Sequence, residues 1–192
     1  MKRTFQTNQE FVAAMYQMRA ISTLTKWIKQ IQSIRSIARY EEHDAVMGGA
    51  DSSLYEVLVP STDASLRIIE REVAELSPED QTIFKPLIDS AWGAYSPTEK
   101  AAHLEEDQEF SETVCKKAVS TLSKWLKNLQ EIRIIVRHEK HDAIIGGGDP
   151  SLYEILLNST EASLRLMKKR VVELSLENQT IFKPLIESAW DA

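Results

Sequence analysis

A single cysteine in 192 residues, Cys115, excludes an internal disulfide and any cysteine-based zinc site. Placed within a helical pattern, it is expected to pack as a small buried hydrophobe. Six glycines and six prolines are few for this length and do not suit an all-β fold, which spends them on turns. No stretch approaches the ~18 consecutive apolar residues that a membrane span requires. There is no basic excess either. Lysine plus arginine is 23 against 29 for aspartate plus glutamate, a net charge of −6, so the basic stripe of a general nucleic-acid binder is missing. Met1, Lys2 and Arg3 lead into no apolar run, which predicts no secretory signal and a cytoplasmic protein.

What is present is a chain with 43% hydrophobic and 27% charged residues, enough to bury a core in one ordinary domain or two small ones. Its strongest feature is an internal repeat. Residues 21–94 align with 119–192 at a constant offset of 98 without a gap. About 46 of the 74 aligned positions are identical, including HDA, SLYE, ASLR and QTIFKPLI, which implies a tandem duplication. Upstream, NQEF at 8–11 resembles DQEF at 107–110. The copies are assigned to residues 1–95 and 96–192. Two copies are too few for a solenoid, so a pseudo-twofold pair is expected.

Glycine and proline punctuate both copies alike. None occurs in 1–47 or 98–145, so each copy opens with a long helix. Its apolar stripe is Leu24, Trp27, Ile31, Ile34, Ala38 and Ala45 in one copy, and Leu122, Trp125, Leu129, Ile132, Val136 and Ala143 in the other. Gly48-Gly49 and Gly146-Gly147-Gly148 end these helices, and Asp51 and Asp149 are placed to cap the next. That second helix is expected to break near Pro60 or Asn158 and to restart after Ser61 or Ser159. Ser77-Pro78-Glu79-Asp80 opens a third helix, which Pro86 and Pro184 should kink or split. Ser96-Pro97-Thr98-Glu99 then opens copy two. The fold class is all-α: a duplicated three-helix antiparallel unit of long, broken and kinked helices. Residues 8–21 overshoot the first unit, and Phe11, Val12, Met15 and Met18 give that overhang an apolar face to be covered by the other copy.

Several constellations bear on chemistry. His43-Asp44 and His141-Asp142 invite comparison with HD-type phosphohydrolases, but these need a further upstream histidine and copy one has none. Arg39-x-x-x-His43 and Arg137-x-x-x-His141 resemble the arginine–histidine pair of HEPN ribonucleases, with one intervening residue too few. Glu41 and Glu139 occupy a heptad position where an apolar residue belongs, and a buried carboxylate needs a partner. Helix heights bring Glu41 to Tyr55, and by the repeat Glu139 to Tyr153, as a structural polar cluster. A carboxylate–histidine metal site near the glycine turn is the sharper alternative, but no ExxH or HxxxH ligand spacing is present. The four tryptophans fall on apolar faces and are expected in the core.

The remaining cationic residues form a row. Arg35, Arg39 and His43, with Arg133, Arg137 and His141, are spaced to share a helix face, and the expected binding strip lies there, with Ile134 beside it. The bland alternative is solvated ion pairs with Glu42 or Asp44. The leading expectation is therefore a non-enzymatic interaction or assembly protein with two equivalent partner-binding faces. A module holding a small anionic, phosphorylated ligand at two equivalent sites is the alternative, and a metal-dependent enzyme is weaker still. A protein partner is expected. No cofactor, nucleic acid or membrane is.

Overall fold

A computed structural model describes residues 8–93 and 108–192, and the Ser96–Glu99 capping box lies outside them. The described residues form six α-helices and one 3-10 turn, without strands: α1 Asn8–Met47, α2 Ser53–Val73, α3 Pro78–Gly93, α4 Gln108–Ile145, α5 Ser151–Arg170, the turn Val171–Glu173, and α6 Leu176–Asp191. None of these helices is long and apolar enough to cross a membrane.

Both long helices bury the stripe that their periodicity defines, from Leu24 to Ala45 and from Leu122 to Ala143. Each ends where a glycine takes the left-handed conformation, Gly49 at φ 69° and Gly147 at φ 73°. The Ala50 and Gly148 amides then reach back to the carbonyls of Ala45 and Ala143, closing the helix end. Asp51 and Asp149 accept from the amides of Ser53 and Ser151, which start α2 and α5. Ser77 caps α3 reciprocally with Asp80, and Ser175 accepts from Asn178 at the start of α6.

The second helix does not break. Pro60 lies inside a continuous α2, and α5 runs unbroken through Asn158. Proline removes one donor and so leaves one carbonyl of the preceding turn without its usual bond. The buried hydroxyls of Ser61 and Thr62 bond back to the carbonyls of Leu58 and Val59, as Ser159 and Thr160 do to Leu156 and Leu157 beside Asn158, so these bonds are no response to the proline; packing of α2 on α5 holds the turn. Nor do Pro86 and Pro184 split the third helices, because both sit on the exposed face, where the freed carbonyl meets water. Cys115 is exposed, not buried: the buried residues around it are Val114 and Ala118, and it lies off their stripe.

At the centre α2 packs on α5 more extensively than any other two helices do. Ser61, Thr62, Ser65, Ser159, Thr160 and Ser163 are all buried, and such small side chains let the two backbones approach. Ser65 donates to the Ser159 carbonyl at 2.7 Å across this contact. Trp27 and Trp125 stack above it with ring centroids 5.1 Å apart and planes 5° from parallel. Each indole N–H crosses to the other repeat: Trp27 Nε1 donates to Ser159 Oγ at 3.0 Å, and Trp125 Nε1 to Ser61 Oγ at 3.0 Å. The long helices run in opposite directions, since Thr23 donates to Glu139 and Thr121 to Glu41. α3 covers α1 and α2, and α6 covers α4 and α5.

The α1 overhang lies against the turn between α4 and α5. A β-carbon on Gly146 would stand 2.5 Å from the Tyr16 ring, so any larger residue there must displace that ring. Phe11 and Met18 nevertheless stay exposed. Replacing Trp27 with Phe should cost about 1 kcal/mol, because one buried hydrogen bond is lost while the ring stack survives. Trp27→Ala should cost about 3–5 kcal/mol by opening a cavity in both repeats at once. Urea unfolding of the two variants measures both.

Candidate functional site

The arginine row is not a surface strip. Arg35 and Arg133 are 2% and 5% exposed, Arg39 is half-buried, and Arg137, His43 and His141 are exposed, so the six residues do not share one accessible face. The cause is the C-terminus of each third helix, whose last carbonyls face α1 and α4. Arg35 donates Nη1 to the carbonyls of Ala91 and Trp92 at 3.0 and 3.1 Å. Arg133 donates Nη2 to the Trp190 carbonyl at 3.0 Å, and Arg137 donates Nη1 to that of Asp191 at 3.1 Å. A guanidinium at a helix C-terminus satisfies orphan carbonyls and meets the negative end of the helix dipole. Trp92 and Trp190 complete the arrangement: their rings lie 4.8 and 5.8 Å from the guanidinium carbons of Arg35 and Arg133. They are partly buried wedges, whereas Trp27 and Trp125 are core residues.

The carboxylates set the two repeats apart. Asp63 on α2 accepts from Arg35 Nε at 2.6 Å and from Arg39 Nη2 at 3.3 Å, replacing the expected pairs with Glu42 or Asp44. In the matching position Glu161 pairs instead with Arg165, one turn along α5. Arg133 has Thr160 Oγ1 at 3.2 Å, but its buried Nε finds no hydrogen-bond partner among the described residues. Burial, and then the neighbouring Arg137, push the Arg133 pKa down, while Glu161 opposes them. A second divergence lies one turn along. Lys140 pairs with Glu154 at 3.1 Å, whereas its counterpart Glu42 faces the like charge of Glu56. Burial raises the Glu42 pKa, Arg39 lowers it, and Glu56 and Asp63 raise it further.

Glu41 lies at the junction of the repeats. Its Oε2 accepts from Tyr55 Oη at 3.2 Å and from Thr121 Oγ1 at 3.0 Å. Burial, then the Glu41 charge and hydrogen bond, raise the Tyr55 pKa. Glu139 accepts from Thr23 at 3.3 Å, but Tyr153 does not reach it; that hydroxyl donates to the backbone carbonyl of Tyr16 at 3.1 Å. Burial and then Glu139 push the Tyr153 phenol up to about 12. A cleft of about 350 Å³ opens beside Glu41, walled by Ile37, Tyr40, Tyr55 and Val114 with Asp44 and Lys117 at its edge. His43 Nδ1 stands 3.8 Å from its neighbour Asp44 and turns outward, and His138 Nδ1 stands 3.2 Å from Asp142. Among the described residues no three His, Cys, Asp or Glu side chains gather as a metal site.

Sequence reasoning missed Asp63, Trp92 and Trp190 as partners of the arginines. The spacing Asp63-x-x-x-Arg67 and Glu161-x-x-x-Arg165 marks these acids equally as surface ion pairs, and nothing local shows that one turns inward. Asp63→Asn should destabilise by about 2–4 kcal/mol, because it strands the buried Arg35 charge. Glu161→Gln, which breaks an exposed pair, should change stability by about 0.5 kcal/mol or less. Thermal melts of the two variants read the contrast directly.

The tyrosines predict a pH dependence. The folded chain keeps the Tyr153 proton up to about pH 12, whereas the unfolded chain releases it near its ordinary value of 10. The folded state binds more protons in that window, so this contribution is intact below pH 10 and is lost as pH rises towards 12. Ultraviolet titration should show a late tyrosinate component that coincides with unfolding and shrinks in Tyr55→Phe and Tyr153→Phe. No family model, no curated protein and no solved structure matches this chain, so the functional reading rests on its geometry.

Proposed function

We propose that the chain is a tandem duplication of a three-helix antiparallel unit, residues 1–95 and 96–192, paired about a pseudo-twofold axis. In this reading it is a non-enzymatic, cytoplasmic interaction protein with two corresponding partner-binding faces. The duplication is supported by the reciprocal contacts at matched positions, Trp27 with Ser159 against Trp125 with Ser61, and Thr23 with Glu139 against Thr121 with Glu41.

The observation that carries the function is the recurrence of exposed apolar side chains at matched positions. Val46 and Met47 at the end of α1, and their counterparts Ile144 and Ile145 at the end of α4, are all more than half exposed. Ile37 with Ile135, and Ile83 with Ile181, repeat the pattern. Scattered apolar residues on a surface need no explanation, but the same positions uncovered in both repeats suit a surface that something else covers. Beside Val46 and Met47 a shallow cleft of about 400 Å³ is bordered by Arg39, Glu42, His43 and Val59. The charge nearby differs between repeats, Glu42 against Lys140, so the two faces suit related but unlike segments. A small anion bound twice is the weaker reading, because the Asp63 carboxylate already pairs with both Arg35 and Arg39.

The test is native mass spectrometry of protein purified from its own host, as wild type and with Val46, Met47, Ile144 and Ile145 replaced by Asp. The wild type should carry a protein partner that the variant loses while its melting temperature is unchanged. A wild type of bare monomer mass, or a variant that retains the same partner, overturns the proposal.

A further inference from the structure

We propose that Arg133 and Arg137 form a seat for an external carboxylate, the position that Asp63 fills within the first repeat, with Glu161 as its tethered competitor. The four positions correspond at the same offset: Arg35 with Arg133, Arg39 with Arg137, Asp63 with Glu161, and Trp92 with Trp190. In the first repeat one carboxylate spans two guanidinium groups, one oxygen on Arg35 Nε and the other on Arg39 Nη2. In the second repeat the atom matching Arg35 Nε is Arg133 Nε, one of two buried donors among the described residues left without an acceptor; the other, Arg39 Nε, belongs to a guanidinium that Asp63 already reaches through Nη2. Glu161, one methylene longer than Asp63, has turned out to Arg165.

Such a donor in a side chain 5% exposed is costly, more so when a second guanidinium adjoins it. The lowered Arg133 pKa has Arg137 among its causes, which records that repulsion. An anion accepting from Arg133 Nε and from Arg137 relieves both. A carboxylate suits the seat because two oxygens fork across two guanidinium groups, a division that a single halide cannot reproduce. Arg137 is the exposed member of the pair. The seat is separate from the apolar ends of α1 and α4, so the failure of either proposal leaves the other standing.

The carboxylate could belong to a free small molecule or to an acidic side chain of a partner. Acetate is titrated against chloride at fixed ionic strength, following the Arg133 Nε–H and Arg137 resonances by NMR. Wild type should show a saturable acetate response that chloride does not produce. Glu161→Gln removes the competitor and should tighten acetate several-fold. Glu161→Asp shortens it to the reach of Asp63, so it should occupy the seat, abolish the response and raise the melting temperature. Arg137→Gln should weaken binding with helicity unchanged. A glutamate-containing peptide that shifts the same resonances at lower concentration than acetate, and does so more than its glutamine counterpart, assigns the seat to a partner side chain. Equal affinities assign it to a free carboxylate. The proposal is overturned if neither wild type nor Glu161→Gln shows a saturable response, or if Arg137→Gln or Glu161→Asp responds as wild type does.

Discussion

Two indole N–H groups buried where the repeats meet must find acceptors, and each finds one on the opposite repeat. Trp27 and Trp125 stack face to face while bonding to Ser159 and Ser61, and Trp125 Nε1 also lies 3.2 Å from Ser163 Oγ of its own repeat. The acceptors lie on the contact between α2 and α5, whose small hydroxyl side chains permit the close approach. Those same hydroxyls donate to carbonyls of their own helices, which fixes the orientation of Ser61 and Ser159 towards the indoles. Ring stack, hydroxyl positions and helix separation are therefore one constraint. The outer helices α3 and α6 cover this centre from either side.

A second layer of polar contacts ties the third helices down. Burying an arginine is expensive, and here the cost is offset by helix C-terminal carbonyls, a tryptophan face and, in the first repeat, a carboxylate. The second repeat keeps the carbonyl and the ring but not the carboxylate. The two repeats differ by one methylene at Asp63 against Glu161, and by a reversed charge at Glu42 against Lys140. The related architecture thus presents two electrostatically different sides.

Much of the fold was legible in the sequence because helix periodicity and helix punctuation are local. The stripes from Leu24 to Ala45 and Leu122 to Ala143 are buried as their spacing requires, and Gly49 and Gly147 end their helices in the conformation glycine favours. The link between Glu41 and Tyr55 followed from heights along two connected helices. What was not legible depends on contacts distant in the chain. Pro60 reads as a break until α5 is in place beside it. Arg35 reads as a surface residue because its acceptors, Ala91 and Trp92, lie 56 and 57 positions away on a helix whose placement no local pattern specifies. Tyr153 was matched to Glu139 by repeat symmetry, yet it bonds to a backbone carbonyl of Tyr16, which any residue type supplies.

The central claim is that the two repeats form one cooperative body joined at the tryptophan stack. Native-state hydrogen exchange with mass-spectrometric readout, in increasing denaturant, tests it most directly. The buried amides of α2 and α5 should share one opening free energy, equal to that of global unfolding, and Trp125→Phe should lower protection in α2 as much as in α5. If α1–α3 opens at a different denaturant concentration from α4–α6, or if Trp125→Phe affects only its own repeat, the repeats are independent and the account is wrong.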